Sequence, residues 1–512
     1  MSTEKITTDD LDGWLLEFPQ KGGPSAFWTC RNSFESLGLF GSLGSGKTSG
    51  SGSCIAKKFL KAGYGGLVLT VKPDEKELWE SYCAETGRSQ DLLVIEPGQK
   101  FSFNFLEFES SYTQLGRTPT ENLVQVLKAV INSSEEQKVG GDDAFWDSAL
   151  NLLLYNTIDL CQLAYGKVTI DYLYEIVQTL PKAGTQNTIE GEKKTAFKKA
   201  MDIAFDNVMV KVAEWTLQQS DEMKEICRDK DLRHIETMKA IPDYRLFHYV
   251  DTFFTETYRS VSEKTRGVID FTFAGFLYGL MQEPVYSLFC KNPSTITPEA
   301  CLKGKIILVN LPLKIFQKVG KNSQLMFKYI WQRCMERRDV SRDGGIPVFC
   351  WVDEASYLLL EQDSLHLATA RSSRIANVFI FQNLPQVYAA MGGNRYKERA
   401  ESFLGALGTK IFHANSCSTT NNYASALIGD ALHVEESQSE TLGKDFSMGI
   451  SRAPRFHRLV RPEEFISLKT GGPPNNFVVQ AIFHKQGDPL FNGFNHKKVV
   501  FLQNVKSSNS NK

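Results

Sequence analysis

The chain has 512 residues, 42% of them hydrophobic and 11% aromatic, enough for about two to four domains with sizeable cores. Its formal net charge is −1, so any nucleic-acid contact has to come from local clusters and not from a field spread over the whole molecule. The ten cysteines are scattered with no Cys-x-x-Cys pair, which leaves no metal or redox motif and fits a reducing cytoplasm; the polar, acidic start and the lack of an apolar run of about 18 to 20 residues argue against a signal peptide and a membrane span.

Residues 1–32 read as an N-terminal arm, with turns at Pro19, Gly22, Gly23 and Pro24, and Trp14 and Trp28 placed to dock it. Residues 33–112 then read as the first half of a nucleotide-binding domain. The apolar run Leu37–Phe40 enters a P-loop pattern, G-x-x-x-x-G-K-[ST], with Gly41, Gly46, Lys47 and Thr48 at the fixed positions and Ser42, Leu43, Gly44 and Ser45 between them. Ser53–Leu60 leaves it with helical spacing. Glycines let the backbone turn its amides toward phosphates, Lys47 adds charge, and the Thr48 hydroxyl is a Mg²⁺ ligand in such a site. ATP and Mg²⁺ are therefore the expected cofactors. Leu67–Val71 follows as a buried parallel strand, Asp74 as the cap of a short helix, and Leu92–Ile95 as a third strand.

From residue 113 to 298 the strand-like runs give way to helical periodicity, as in Asp147–Leu163 and Leu246–Met281. Phe145, Trp146, Ala149, Leu152, Leu153 and Ile158 recur as one buried face. This stretch reads as an inserted helical domain. Gly184–Gly191 reads as a polar loop inside it, and Lys193, Lys194, Lys198 and Lys199 as a solvated helix face first and a nucleic-acid contact second.

Residues 299–505 return to α/β texture and read as the second half of the nucleotide-binding domain. Lys305–Leu311 is a strand and Gln324–Arg338 an amphipathic helix. The apolar run from Pro347 to Val352 ends in Asp353-Glu354, a Walker B pattern that delivers two carboxylates to the end of the sheet where the P-loop sits. Asp353 would hold Mg²⁺ and Glu354 would polarise the attacking water as general base. A second carboxylate argues for hydrolysis over phosphate transfer to a small acceptor. Val378–Phe381 is a further strand, beside the Walker B strand, and its terminal Gln382 is placed to bond Glu354 or water and the γ-phosphate. Arg371 and Arg374 fall on an expected surface helix. Lys397–Leu407 is helical, and Lys410–Ala414 and Phe477–Phe483 close the sheet. Arg452, Arg455, His457, Arg458 and Arg461 read as ordinary surface charge, and residues 506–512 as a disordered tail. The fold class is α/β: a RecA-like P-loop NTPase with a mainly parallel central sheet and an inserted all-α domain.

These motifs resemble those of the coupling ATPases of type IV secretion and conjugation, the TraG/TraD type, within the FtsK/HerA branch of P-loop motors. The resemblance rests on Phe40–Thr48, Val71–Trp79, Phe103–Leu106, Gly304–Pro312, Trp351–Ala355 and Phe381–Gln386, and on the helical insertion. It implies an ATPase, a hexamer in the family, DNA or a relaxase-like protein as cargo, and a trans-acting finger at Arg371, about eleven residues before the strand-end Gln. Two departures accompany it. Membrane-bound coupling proteins carry N-terminal transmembrane helices, whereas here the P-loop begins by residue 41, so a cytoplasmic member reaching the membrane through a partner protein is expected. Arg374-Ile also stands where FtsK-like sequences often place Gly-Ile. The alternatives are a nucleotide-switched adaptor that recruits protein cargo, a defence or mobile-element ATPase of the HerA type, and a small-molecule kinase. Intact Glu354, Gln382 and Arg371 favour the motor.

Overall fold

The computed structural model describes residues 10–20, 22–111, 119–134, 143–181, 194–392, 395–441, 447–487 and 489–503. The loop expected at Gly184–Gly191, Lys193 and the expected tail lie outside them. The chain divides into two compact units, one of residues 1–94, 298–314 and 331–512, the other of residues 95–297 and 315–330.

The first unit is built on thirteen strands among the described residues: β1 (Trp14–Phe18), β2 (Ala26–Thr29), β3 (Leu37–Phe40), β4 (Gly65–Leu69), β5 (Leu92–Ile95), β6 (Ile306–Val309), β7 (Val348–Val352), β8 (Ile375–Phe381), β9 (Thr409–His413), β10 (Asp430–Thr441), β11 (Ser447–Arg458), β12 (Val478–Lys485) and β13 (His496–Leu502). Nine form one sheet in the order β13-β12-β9-β3-β8-β7-β4-β6-β5. From β9 to β6 every neighbouring pair is parallel, while β12 adds to β9 antiparallel and β13 adds to β12 antiparallel. The central strands β3, β4, β6, β7 and β8 are buried at every position. Helices on both faces of a parallel sheet exclude water from both, which is why these strands are unbroken apolar runs and do not alternate.

Strand order positions the chemistry. β8 lies between β3, which feeds the P-loop, and β7, which ends in Asp353-Glu354. The β1–β2 hairpin packs its Leu15, Leu16, Phe18 and Trp28 into the same core. Trp28 is buried and donates from Nε1 to Thr409 Oγ1 at 3.1 Å, whereas Trp14 is 49% exposed.

Local differences from the sequence reading have physical causes. Asp74 stands at the N-cap position of the helix Glu75–Glu85 but makes no capping bond; Glu75 turns back instead and accepts the Val71 N–H at 2.7 Å. The helix expected from Gln324 starts earlier, just after Gln317, whose non-helical backbone (φ 45°) separates it from a short helical stretch beginning at Leu313. Arg371 and Arg374 are not within a helix: Arg371 caps the C-terminus of Asp363–Ala370, and Arg374 has φ 50° in the turn entering β8. That turn needs left-handed backbone, so a glycine there is unstrained, while Arg374 meets the cost in part by donating from Nη1 to Gly345 O at 2.8 Å. The β10–β11 ribbon and β13 were not expected as strands, because their many charged and polar residues mask the alternation.

The second unit is helical. The longest described helices are Asp143–Tyr165 and Ala196–Leu217, and Leu150, Leu153, Leu154, Ile158 and Cys161 of the first are fully buried. Leu152, expected on that face, is 48% exposed. The run expected from Leu246 to Met281 is broken: Pro242–Thr252 ends in a π turn, Phe253–Thr257, and a new helix, Glu263–Leu280, starts where the Ser262 side chain accepts the Thr265 N–H. Lys194 and Lys198 both pair with Asp202, at 2.8 and 2.9 Å, as a solvated helix face does.

Candidate nucleotide site

The P-loop is anchored at its entrance to the two strands flanking β3. Gly41 N–H donates to Phe381 O at 3.2 Å, and Ser42 N–H to Ala414 O at 2.9 Å. Two glycines are sterically required. A Cβ on Gly41 would lie 2.4 Å from Ser45 Oγ, and one on Gly46, where φ is +81°, would lie 2.6 Å from a Val479 methyl. Leu43 at the tip is 81% exposed. The loop leaves through a wide π turn, Thr48–Gly52, before the regular helix Ser53–Lys61; such turns recur at functional sites.

Four further residues converge on the loop. Thr48 Oγ1 donates to Asp353 Oδ2 at 3.0 Å, across 305 residues of sequence. Asp353 Oδ1 accepts the Glu354 N–H at 2.8 Å. Gln382 Nε2 donates to Glu354 Oε2 at 3.0 Å, and Lys72 Nζ pairs with Glu354 Oε1 at 2.9 Å. Both carboxylates are 3% exposed. Glu354 has φ 48° and ψ 47°, a left-handed conformation that a side-chain-bearing residue keeps only where its surroundings enforce it.

Burial and charge act in opposite directions here. Burial raises the Asp353 carboxyl, and although Lys72 and Lys47 oppose it the pKa stays above the usual range. Burial also raises Glu354, but the Lys72 hydrogen bond, the charges of Lys47 and Lys72 and the Gln382 amide outweigh it and leave the carboxyl below the usual range. Lys47 is 5% exposed, and burial lowers its pKa against the pull of Glu354 and Asp353. Two ammonium groups thus face two carboxylates, with Ser45 Oγ buried and without a hydrogen-bond partner. The set fits Mg²⁺ with a polyphosphate: a hydroxyl and a carboxylate on one point, a cation beside it, and a loop whose Gly41 and Gly46 have no room for side chains.

Lys47, Thr48, Asp353, Glu354 and Gln382 therefore form one cluster. Arg371 is not in it; its side chain is exposed at the end of its helix. Sequence reasoning missed Lys72 and Asn415. Asn415 accepts the Ser42 hydroxyl at 3.2 Å and donates to Gln382 O at 2.9 Å, linking the P-loop to the end of β8. The available signal in each case was a polar residue shortly after a buried strand.

The strand order and this cluster define a RecA-like P-loop NTPase fold. Within that class the chain resembles the TraG/TraD-type coupling ATPases, as its motifs imply: residues 347–470 match the family model described as the TraM recognition site of TraD and TraG. Among solved structures, the plasmid coupling protein TrwB aligns over 96% of this chain and 89% of its own. Its complex with the non-hydrolysable GTP analogue GDPNP gives 13% identity and a TM-score of 0.58. The complex with ADPNP gives 12% and 0.57, and that with ADP and Mg²⁺ 13% and 0.56. No curated protein matches the chain significantly. Among the described residues no helix is long and apolar enough to cross a membrane.

Proposed function

We propose that the protein is an ATP-hydrolysing motor, assembled as a hexamer, that binds DNA or a DNA–protein complex and moves it, acting in the cytoplasm and reaching a membrane through a partner protein. The observation that carries the reading is the joint placement of Thr48 on Asp353 and of Gln382 on Glu354 at the ends of β7 and β8. Binding alone needs only the P-loop, while a second carboxylate held by an amide is what water activation needs. Gly41 to Thr48 would cradle the phosphates, and Thr48 and Asp353 would hold Mg²⁺, which supplies charge neutralisation when bound. Glu354 takes the proton of the attacking water, and Gln382 orients the carboxylate. Arg371, exposed at a helix end, serves a neighbouring subunit's site.

Steady-state ATP hydrolysis by wild type and Glu354→Gln, with single- and double-stranded DNA across a salt series, tests the proposal. DNA-stimulated turnover that weakens with salt and vanishes in the variant is expected. Glu354-dependent turnover indifferent to every DNA would remove DNA pumping from the reading.

A second reading, the nucleotide-switched adaptor for protein cargo, is favoured by the β10–β11 ribbon. Its arginines are spent on its own acids: Arg452 pairs with Glu436, Arg455 with Glu435 and Arg458 with Asp430. Between the ion pairs Asp430–Arg458 and Glu436–Arg452 it also exposes apolar side chains. Leu432 and Phe456 are directly opposed and Val434 follows on the same face, at 59%, 75% and 60% exposure. Such a face suits a protein partner better than phosphates.

A further inference from the structure

Glu354 is gripped by two groups of different kinds. Gln382 reaches it from the next strand with an amide, and Lys72 reaches it from the loop after β4 with a charge. The β4–β7 register sets Leu69 opposite Val352, so the chain leaving β4 runs alongside Asp353 and Glu354. Two features fix where Lys72 emerges. Pro73 restricts the residue before it to extended backbone. Glu75, only 5% exposed, commits a buried carboxyl oxygen to the Val71 N–H. Placing a carboxyl where water cannot reach it is unfavourable, so the turn that aims Lys72 is built at a cost. The pair is not a surface ion pair either: the side chains of Lys72 and Glu354 are 29% and 4% exposed.

We infer that Lys72 is a positioning residue for hydrolysis, whose ammonium, together with the Gln382 amide, fixes the rotation of the Glu354 carboxylate. The left-handed backbone of Glu354 sets the direction in which its side chain leaves the strand end. What stays free is rotation about the side-chain bonds, and one contact on each oxygen removes it. With Lys72 gone, Gln382 alone holds one oxygen and the other turns away from the water it must face. The inference rests on the reading of Glu354 as the base.

The test compares Lys72→Met, Lys72→Arg, Glu354→Gln and the Lys72→Met/Glu354→Gln double variant by ATP turnover and by the thermal midpoint of the nucleotide-free protein. Lys72→Met is expected to lower kcat about 10- to 100-fold, the range that misplacing a reacting group by an ångström produces, while KM for ATP stays within about threefold. Lys72→Arg restores most of the loss. Adding Lys72→Met to Glu354→Gln slows turnover no further, and the midpoint shifts of the two single variants in the nucleotide-free protein are not additive. The inference is overturned by a wild-type or raised kcat in Lys72→Met, by a loss confined to KM, by Lys72→Arg as impaired as Lys72→Met, or by additive midpoints. Wild-type turnover in Glu354→Gln overturns the parent reading as well; an inactive Glu354→Gln beside a normal Lys72→Met overturns this inference alone.

Discussion

Lys410 is a buried lysine in the strand beside the P-loop strand, paired in register with Gly38 and, on its other side, with His484. It is 1% exposed, and its ammonium donates to Leu407 O. Burial pushes its pKa down from 10.5 to about 8. Because the folded value lies below the unfolded one, the unfolded chain binds more protons between about pH 8 and 10.5, and stability rises with pH across that window. Below it the charged form carries a penalty of about 3 kcal/mol, from about 1.4 kcal/mol for each pH unit of displacement. Lys410→Met removes that penalty but leaves the Leu407 carbonyl without its donor, a cost of about 1 to 3 kcal/mol. At pH 7 the two terms offset to within about 2 kcal/mol. The pH dependence is the sharper quantity: wild type gains on the variant by about 2 kcal/mol between pH 7.5 and 9.5. Urea unfolding of both proteins at half-unit steps reads the difference directly, with the contributions of other groups cancelling. Parallel stability curves over that range would refute the reasoning.

Two further outcomes follow from the proposed roles of Asp353 and Arg371. Asp353→Asn should leave the nucleotide-free protein at least as stable as wild type, because an amide reproduces both bonds: its oxygen accepts the Glu354 N–H, its nitrogen donates to Thr48 Oγ1, and a buried charge is gone. Calorimetric titration should then show nucleotide affinity that no longer responds to Mg²⁺; a lowered thermal midpoint would count against this account. Arg371→Ala should keep nucleotide affinity and lose about 10³-fold or more in turnover if it acts as a finger. Mixing it with Glu354→Gln should recover part of the rate, since in the proposed hexamer a mixed ring pairs an intact Glu354 with an intact arginine; no recovery at any ratio would exclude action between subunits.

The phosphate loop was readable in the sequence because its function is local. Gly41 to Thr48 are contiguous, and their amides turn toward an anion wherever the loop sits. The buried strands were readable for a related reason: a parallel strand covered on both faces has to be an apolar run, as Leu67–Leu69, Ile306–Val309 and Val348–Val352 are. Asp353-Glu354 and Gln382 followed as the polar residues ending two such runs. Apolar periodicity, however, reports which residues are buried and not which strands are neighbours. The neighbourhood of β8 and β7, with Gln382 on Glu354, is legible through the motif pattern and not through periodicity, whereas β4 against β7, which brings Lys72 to Glu354 across 282 residues, came from the folded chain. Backbone conformation was equally out of reach, for nothing in the residue types of Glu354 or Arg374 announces a left-handed φ. The phosphate-loop pattern and the strand-end carboxylates and amide are local features and could be read from residue order; that Lys72 joins Gln382 on Glu354 follows from strand order, since a contact between distant segments is not written in the spacing of either one.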